Sequence, residues 1–388
     1  MSKVAGGTIP QSAGQHDPIR VLLQAGRNDE AIVQLCAIRI TRPNDIVAKE
    51  LLFDAFFQKR DWAPALILAE ELVRNQPDVA RLQKALIATL SNMKRFEEAI
   101  VQAAQYIERH GEDLTVLDAL KVANFYTGKP DAAIRYGQRA LDLRDQQACR
   151  NPPPFSLTAP GDPPSGINVI SFSLWGNAPF YVYGAMINLV LSRTIYPGWR
   201  CRFYIDSAVP PACAAFLRDN GADVRNIEDE YPGVGLFQRF LVMNDSSVGR
   251  FLVRDCDARL SVAEADLVQQ WIDSGRPFHV VRDHVLHNEL MIGCLWAGRT
   301  DCAIDIVELM RRYFTHGPTA KYGHDQRMLG LMLWPLIRGH CLVHDKHYRL
   351  AGVETVSLRD PRSHFGGGHQ NTNAVLEEAD RLGIPRLP

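Results

Sequence analysis

The feature that most constrains this fold is a 34-residue repeat near the start of the chain. Four segments, GRNDEAI, RDWAPAL, KRFEEAI and GKPDAAI, align without gaps and place Ala31, Ala65, Ala99 and Ala133 at equal intervals. Apolar residues between them follow helical spacing, as in LLFDAFFQ and LQKALIATL. Because a small residue at a fixed helix position lets two helices approach closely, the period predicts an array of paired helices.

A 34-residue period of paired helices resembles the tetratricopeptide repeat. The resemblance covers about residues 16–147, and it implies an all-α domain over residues 16–148 after a disordered tail of residues 1–15. Such arrays have an extended concave groove, so a peptide or protein partner is expected there. A helical spacer that packs on its neighbour is the alternative, and homo-oligomerisation stays open.

Composition argues against some classes of function. The chain has 388 residues, 46% hydrophobic and 22% charged, which is typical of a globular protein with a large core. A net charge of −1 argues against nucleic acid as a partner. No apolar run approaches the roughly 18 residues of a membrane span. The eight cysteines form no C-x-x-C pair, which favours buried thiols and a cytoplasmic location.

The second half of the chain changes character. Residues 151–166 contain six prolines, which predicts a semi-rigid linker over 149–166. Beyond it, short β-branched runs alternate with helical patterns. The predicted strands are INVISF (167–172), RCRFYID (200–206), ADVRNI (222–227) and RFLVRD (250–255), and the predicted helices cover 185–196, 211–221 and 237–245. This alternation predicts an α/β domain with a mainly parallel sheet over residues 167–388.

Asp255 ends one predicted strand, Asp257 comes two residues later, and Asp206 ends an earlier strand. In parallel sheets, ligands bind beyond the carboxyl ends of the strands. Two neighbouring carboxylates repel each other unless a cation neutralises them, and Mg²⁺ and Mn²⁺ prefer such oxygen ligands. The pair therefore predicts a divalent metal site that binds a diphosphate, and a solvated strand end is the alternative.

The segment FQRFLVMNDSSVGRFLVRDCDARL, with Phe237, Arg239, Asp255 and Asp257, resembles the metal-motif region of GT-A-fold glycosyltransferases. The closest pattern is the family of glycogenin and bacterial lipopolysaccharide galactosyltransferases. Three further segments resemble that family: VISFSLWGNAPFYVYGAMINL, HDQRMLGLML and HFGG. The resemblance covers about residues 167–370. Two features depart from it, since Arg254 precedes the motif and no Lys-Pro-Trp follows HFGG.

The resemblance implies a bacterial fusion of tetratricopeptide repeats to a GT-A-like transferase. Its implied cofactor is Mn²⁺ or Mg²⁺, and its implied donor is a nucleotide-diphosphate sugar, with UDP favoured. The implied metal ligands are Asp255, Asp257 and His364, and His369 and His344 are the alternatives to His364. The candidate donor-binding residues are Ser171, Phe172, Ser173, Tyr181, Asp206 and Asp255, together with Arg239 and Arg254, because arginine side chains match phosphate oxygens. Asp283 or Asp325 is expected to act as general base or to bind sugar hydroxyls.

Several of these assignments have a structural alternative. Tyr181 could be a packing residue, Arg239 could belong to an ion pair, and Arg254 could merely neutralise nearby acids. His284 and His287 could share a zinc ion, but their sequence context is loop-like and matches no zinc motif.

The expected function is transfer of a sugar from a nucleotide diphosphate to a hydroxyl group on a protein or glycan. The repeats are expected to dock the acceptor or a partner protein. The resemblance favours retention of configuration without deciding it. A non-catalytic repeat scaffold with a degenerate transferase fold is the alternative. A dehydrogenase is disfavoured because no G-x-G-x-x-G follows the first strand.

Overall fold

The computed structural model describes residues 14, 16–158, 164–226, 235–316, 323–359, 364–366 and 371–387. The chain forms two compact units, which divide between Gly137 and Gln138. The first unit is all-α, and the second is built on one mixed sheet. No described helix is both long and apolar enough to cross a membrane.

The first unit is a run of helices that follows the predicted period. Its helices are α1 (Asp17–Gln24), α2 (Asn28–Thr41), α3 (Ile46–Gln58), α4 (Trp62–Asn75), α5 (Ala80–Asn92), α6 (Phe96–His110), α7 (Leu114–Tyr126) and the start of α8 (Pro130–Arg150). The four repeated alanines lie at matching positions of α2, α4, α6 and α8, and each is at most 1% exposed. The predicted helical repeats are therefore confirmed, because close helix packing occurs at these small side chains.

The turn before each of these four helices repeats one backbone conformation. Gly26, Arg60, Lys94 and Gly128 have φ angles of 72°, 59°, 59° and 72°. Glycine adopts this left-handed region without strain, whereas a side chain there costs about 1 kcal/mol. The geometry of the repeat thus imposes a left-handed backbone conformation on Arg60 and Lys94, which residues with a side chain normally avoid.

The boundary between the units falls inside α8 and not in the Pro-rich linker. Asp145, in the second half of α8, accepts hydrogen bonds from Trp334 Nε1 at 2.7 Å and from Arg338 Nη2 at 2.9 Å. Gln138 donates to the backbone carbonyl of Arg349 at 2.6 Å. These contacts explain why the second half of α8 belongs to the α/β unit, whereas the sequence placed the boundary near residue 148.

Within the described residues, the second unit forms a sheet of eight strands. They are β1 (Ile167–Leu174), β2 (Trp199–Ile205), β3 (Asp223–Asn226), β4 (Val248–Asp255), β5 (Phe278–Arg282), β6 (Trp296–Arg299), β7 (Cys341–Asp345) and β8 (Thr355–Ser357). Their order is β3-β2-β1-β4-β6-β5-β7-β8. Neighbouring strands are parallel, except that β6 is antiparallel to β4 and β5. The sheet is therefore mixed and mainly parallel.

Helices accompany these strands. They are α9 (Pro179–Ile195), α10 (Pro211–Asp219), α11 (Val262–Ser274), α12 (Ile306–His316), α13 (His324–Met328), α14 (Trp334–Ile337) and α15 (Thr372–Arg381). A π-helical turn, Leu329–Leu333, joins α13 to α14. The predicted helix over 237–245 is instead a 3₁₀ helix, Gly235–Asn244. One reason is that the backbone amide of Arg239 donates to Ser173 Oγ at 2.8 Å instead of continuing an α-helical ladder.

The core of the second unit is centred on β1. Phe172 and Phe203 stack with their ring centroids 4.8 Å apart, and Ile170 and Leu252 are completely buried. Strands buried on both faces contain continuous apolar runs, which is the pattern that predicted these segments. All eight cysteines are free, and six of them are buried.

Strands β1, β2, β4, β5 and β7 run in the same direction, so their carboxyl ends meet at one edge of the sheet. The register places Asp255, the last residue of β4, beside Ser173 of β1. Asp206 directly follows β2, and Asp283 directly follows β5. These carboxylates therefore lie at the edge where parallel sheets bind ligands.

Candidate functional site

Arg239 is the centre of a buried charge cluster. Its side chain is 1% exposed, Nη2 donates to Asp325 Oδ2 at 2.9 Å, and Nη1 pairs with Asp255. Two hydroxyls of β1 hold its backbone: Ser171 donates to its carbonyl at 2.7 Å, and its amide donates to Ser173 at 2.8 Å. The guanidinium thus fixes the end of β4 relative to α13.

Asp257 is a carboxylate in unfavourable surroundings. It is 8% exposed. Burial, followed by the negative charge of Asp255, raises the pKa of Asp257 to about 6. Burial and the charges of Asp257 and Asp255 also raise the pKa of Tyr181. A cation at this point would relieve the repulsion.

A cavity of about 240 Å³ is lined by the first of these carboxylates, Asp255. Its lining residues are Ser173, Leu174, Trp175, Tyr181, Leu236, Asp255, Cys256 and Gly323. The rings of Trp175 and Tyr181 are 6.1 Å apart at an angle of 30°, and Trp175 is 38% exposed. Two aromatic faces next to carboxylates suit a flat, polar ring system such as a nucleobase.

Asp206 anchors the loop after β1. Its carboxylate accepts hydrogen bonds from the backbone amide of Gly176 at 3.0 and 3.2 Å, and from that of Ala208 at 3.1 Å. Gly176 follows Trp175 in the chain. Asp206 therefore supports the loop that presents the indole ring to the cavity.

Three other residues predicted to bind the donor lie in the interior. Ser171 and Phe172 are 0% exposed and do not line the cavity. Arg254 is 2% exposed, its Nε pairs with Glu264, and its Nη1 donates to the carbonyl of Trp296 at 3.1 Å. These contacts of Arg254 are those of a buried structural ion pair.

A second polar cluster lies around Asp283. This carboxylate is completely buried and accepts hydrogen bonds from His287 Nδ1 at 2.6 Å, from the amide of Gly366 at 2.9 Å and from the amide of Phe365. Burial alone would raise the pKa of Asp283. The hydrogen bond and charge of His287, with the two backbone amides, outweigh burial and lower the pKa.

Three imidazoles surround this carboxylate. The ring centroids of His284 and His287 are 5.6 Å apart, and that of His364 lies 5.2 Å and 6.0 Å from them. Nδ1 of His364 is 3.6 Å from Oδ2 of Asp283. Burial and the neighbouring imidazoles lower the pKa of His284 to about 4. The structure therefore brings His364, a predicted metal ligand, together with Asp283.

Asp255 and Asp257 are two carboxylate ligands of the kind that Mg²⁺ and Mn²⁺ prefer. Burial disfavours the charged form of Asp257, and that charged form is the one that binds a cation. Within the described residues, no group of three His, Cys, Asp or Glu side chains could hold a metal ion. A cation here would thus need substrate oxygens or water to complete its coordination. His344 pairs with His279 at 2.7 Å in the core, and His369 lies outside the described residues.

Two features of the site escaped the sequence analysis. Trp175 comes directly after the apolar strand β1. A tryptophan at the end of such a strand is a sequence feature from which a ligand contact could have been predicted. Nothing in a single sequence indicates that Gly293 contributes to the site. A Cβ at Gly293 would overlap Oδ2 of Asp325 and lie 3.1 Å from Nη2 of Arg239.

Comparison with known proteins yields a weak structural likeness. No protein-family model and no curated protein matches the sequence. The solved structure of MamA MSR-1 is 19% identical, covers 33% of this chain and 74% of its own, and has a TM-score of 0.32. MamA from Desulfovibrio magneticus RS-1 is 18% identical and covers 34% of this chain and 78% of its own, with a TM-score of 0.32. A likeness at this level carries no argument about function.

Proposed function

We propose that the second unit is a metal-dependent glycosyltransferase, which moves a sugar from a nucleotide-diphosphate donor to a hydroxyl acceptor, with UDP as the favoured nucleotide. The observation that carries the proposal is the cavity at the carboxyl edge of the sheet. It combines the rings of Trp175 and Tyr181 with the carboxylate of Asp255, and Asp257 lies two residues further along the chain. An aromatic pocket next to paired carboxylates suits a base that is joined to a metal-bound diphosphate.

Each group has a role in this proposal. Trp175 and Tyr181 stack on the base. Asp255 and Asp257 would hold Mn²⁺ or Mg²⁺, which when bound offsets the negative charge of the departing diphosphate. Arg239 is almost completely buried, and its ion pairs keep the Asp255 and Asp325 carboxylates in position.

A repeat scaffold with a degenerate transferase fold is the second candidate. The ion pair between Arg239 and Asp255 favours it, because the guanidinium already neutralises a carboxylate that the first proposal assigns to a cation. The two candidates differ in one measurable property, which is the binding of a nucleotide together with a divalent ion.

Thermal unfolding with and without ligands separates the two candidates. Mn²⁺ and UDP should stabilise an enzyme by about 2.7 kcal/mol when the free ligand is at 100 times Kd, and they should leave a scaffold unchanged. Asp257→Asn should abolish the shift. Asp273→Asn, which changes an exposed carboxylate of α11, is the matched control and should keep the shift. If the wild-type protein responds to no nucleoside diphosphate with Mn²⁺, the enzymatic proposal is wrong.

The repeat unit is proposed to bind the acceptor or a partner protein. Val33, Ile67 and Val101 occupy one position of three successive repeats and are 70%, 66% and 53% exposed. A regular row of exposed apolar side chains is a feature of protein contact sites. Serine at all three positions should weaken such a contact and leave the far-UV circular dichroism unchanged. Sedimentation velocity of this variant tests the case in which the partner is a second copy of the chain.

A further inference from the structure

Asp283 and His287 have the arrangement of a supporting carboxylate and a base. Nδ1 of His287 lies 2.6 Å from Oδ1 of Asp283, and the other carboxylate oxygen is held by the amides of Phe365 and Gly366. An ionised carboxylate can only accept hydrogen bonds, so the proton of a neutral imidazole must be on Nδ1. The lone pair is then on Nε2, which is the nitrogen that a general base uses.

The side chain of His287 is accessible to solvent, although that of its partner Asp283 is buried. Its side chain is 25% exposed, compared with 0% for Asp283. The segment at Gly366 passes close to the ring, since a Cβ there would lie 3.2 Å from Cε1 of His287 and 2.8 Å from Leu295. A side chain at this position would crowd the imidazole, so the local fold keeps the ring both oriented and reachable.

The pair lies at the same edge of the sheet as the proposed donor site. Asp255 ends β4, Asp283 follows β5, and β6 alone separates these two strands. Two strand spacings amount to about 10 Å. Gly293, in the segment between β5 and β6, adjoins the Asp325 carboxylate. The segment that follows the His–Asp pair therefore reaches the charge cluster beside the cavity.

The order of groups along this edge matches the order of parts in a nucleotide-diphosphate sugar. Trp175 follows β1, Asp255 ends β4 and Asp257 follows it, and the His–Asp pair follows β5. A donor with its base at the aromatic rings and its diphosphate at the carboxylates would extend its sugar toward His287.

We propose that His287 is the general base of the glycosyl transfer and that Asp283 is its positioning residue, an inference that rests on the function proposed above. Nε2 of His287 takes the proton of the acceptor hydroxyl while that oxygen bonds to the anomeric carbon. The bond from the anomeric carbon to the phosphate oxygen breaks, and its electron pair leaves with the nucleoside diphosphate. The imidazolium then returns its proton to water. Because this is a single displacement, the configuration inverts, in contrast to the outcome that the sequence resemblance favours.

The test uses the full chain with Mn²⁺ and with UDP-glucose, UDP-galactose or UDP-N-acetylglucosamine, with water as acceptor and UDP release as readout. His287→Gln should lower kcat by about 10²- to 10⁴-fold and leave KM and the thermal shift with UDP unchanged. His340→Gln, which changes an exposed histidine just before β7, is the matched control and should keep the wild-type kcat. Added imidazole should restore activity to His287→Ala, which a purely structural role would not allow.

Asp283→Asn tests the positioning role. It should lower kcat without raising KM, and the ¹⁵N signals of the His287 ring should move away from the Nδ1–H tautomer. A wild-type kcat in His287→Gln overturns the inference and leaves the proposed function standing. Retention at the anomeric carbon of the first-formed product, followed by ¹H NMR, overturns it as well. A wild-type protein that binds no UDP and releases none from these donors defeats the inference together with the function on which it rests.

Discussion

Gly293 and Asp325 approach so closely that a Cβ on the glycine would overlap Oδ2 of the carboxylate. The same atom would lie 3.1 Å from Nη2 of Arg239. The ion pair between Arg239 and Asp325 therefore depends on the lack of a side chain in the segment between β5 and β6. Gly293, which has no side chain, thus determines whether the ion pair between Arg239 and Asp325 can form.

Gly293→Ala should displace the Asp325 carboxylate and weaken its ion pair with Arg239. Overpacking of this kind costs about 1–3 kcal/mol, so we expect a lower Tm and a smaller thermal shift with Mn²⁺ and UDP. Gly339→Ala is the control, because nothing lies within 4 Å of its Cβ position. Equal Tm values for the two variants would show that Asp325 tolerates the displacement.

Asp257→Asn should raise the Tm of the metal-free protein although it abolishes ligand binding. Burial disfavours the charge of this carboxylate and the charge of Asp255 repels it, and a neutral amide of the same shape removes both effects. The expected gain is about 1–3 kcal/mol. Calorimetry in the presence of a chelator measures it. A Tm below that of the wild type would show that the carboxylate makes structural hydrogen bonds that asparagine cannot replace.

The buried pair His279–His344 predicts a loss of stability in acid. Burial lowers the pKa of His344 from 6.5 to about 4, and burial and His344 lower that of His279 well below its ordinary value. As the pH falls below about 6.5, the unfolded chain binds protons that the folded state does not. This contribution to stability is therefore complete above pH 6.5 and is lost between pH 6.5 and 4. His344 alone should account for about 1 kcal/mol between pH 7.5 and 5.5.

Urea unfolding at these two pH values, followed by tryptophan fluorescence, measures the effect. Trp271 is a suitable reporter because it stacks on His279 with ring centroids 5.8 Å apart. His344→Asn should reduce the pH dependence by about 1 kcal/mol. His340→Asn, which changes an exposed side chain, should leave the dependence intact. A His344→Asn protein with the wild-type dependence would contradict the assignment.

Lys94→Gly should stabilise the repeat unit, and Gly128→Ala should destabilise it, each by about 1 kcal/mol. The two residues occupy matching turns with φ angles of 59° and 72°, and nothing lies within 4 Å of the Cβ position at Gly128. Each substitution therefore changes mainly the backbone strain of its turn. Thermal unfolding followed by far-UV circular dichroism measures both changes. Lys94→Ala keeps the strain, so stabilisation by that variant would point to the lysine charge instead.

The sequence predicted the parts of this fold whose signals are local. The repeat was visible because Ala31, Ala65, Ala99 and Ala133 share one helix position. Strands such as β4 were visible because burial on both faces requires a continuous apolar run. The place of Asp255 and Asp206 at the carboxyl edge followed from the alternation of strands and helices.

The sequence does not show which face of the sheet each side chain of a strand occupies. Arg254 and Asp255 are adjacent, but side chains alternate between the two faces of a strand. Arg254 therefore pairs with Glu264 in the core, while Asp255 lines the cavity. The predicted phosphate contact of Arg254 is therefore not seen. The face on which Arg254 lies depends on how the sheet is packed, which the motif does not show.

By itself, the sequence determined the helical period, the succession of strands and the positions of the carboxylates, because each depends on residues close together in the chain. The tertiary structure alone decided which charges meet. Arg239 joins Asp325 across 86 residues of sequence, and Asp283 binds the amide of Gly366 across 83. These pairings depend on a strand order in which β6 lies between β4 and β5, and no local pattern encodes that order.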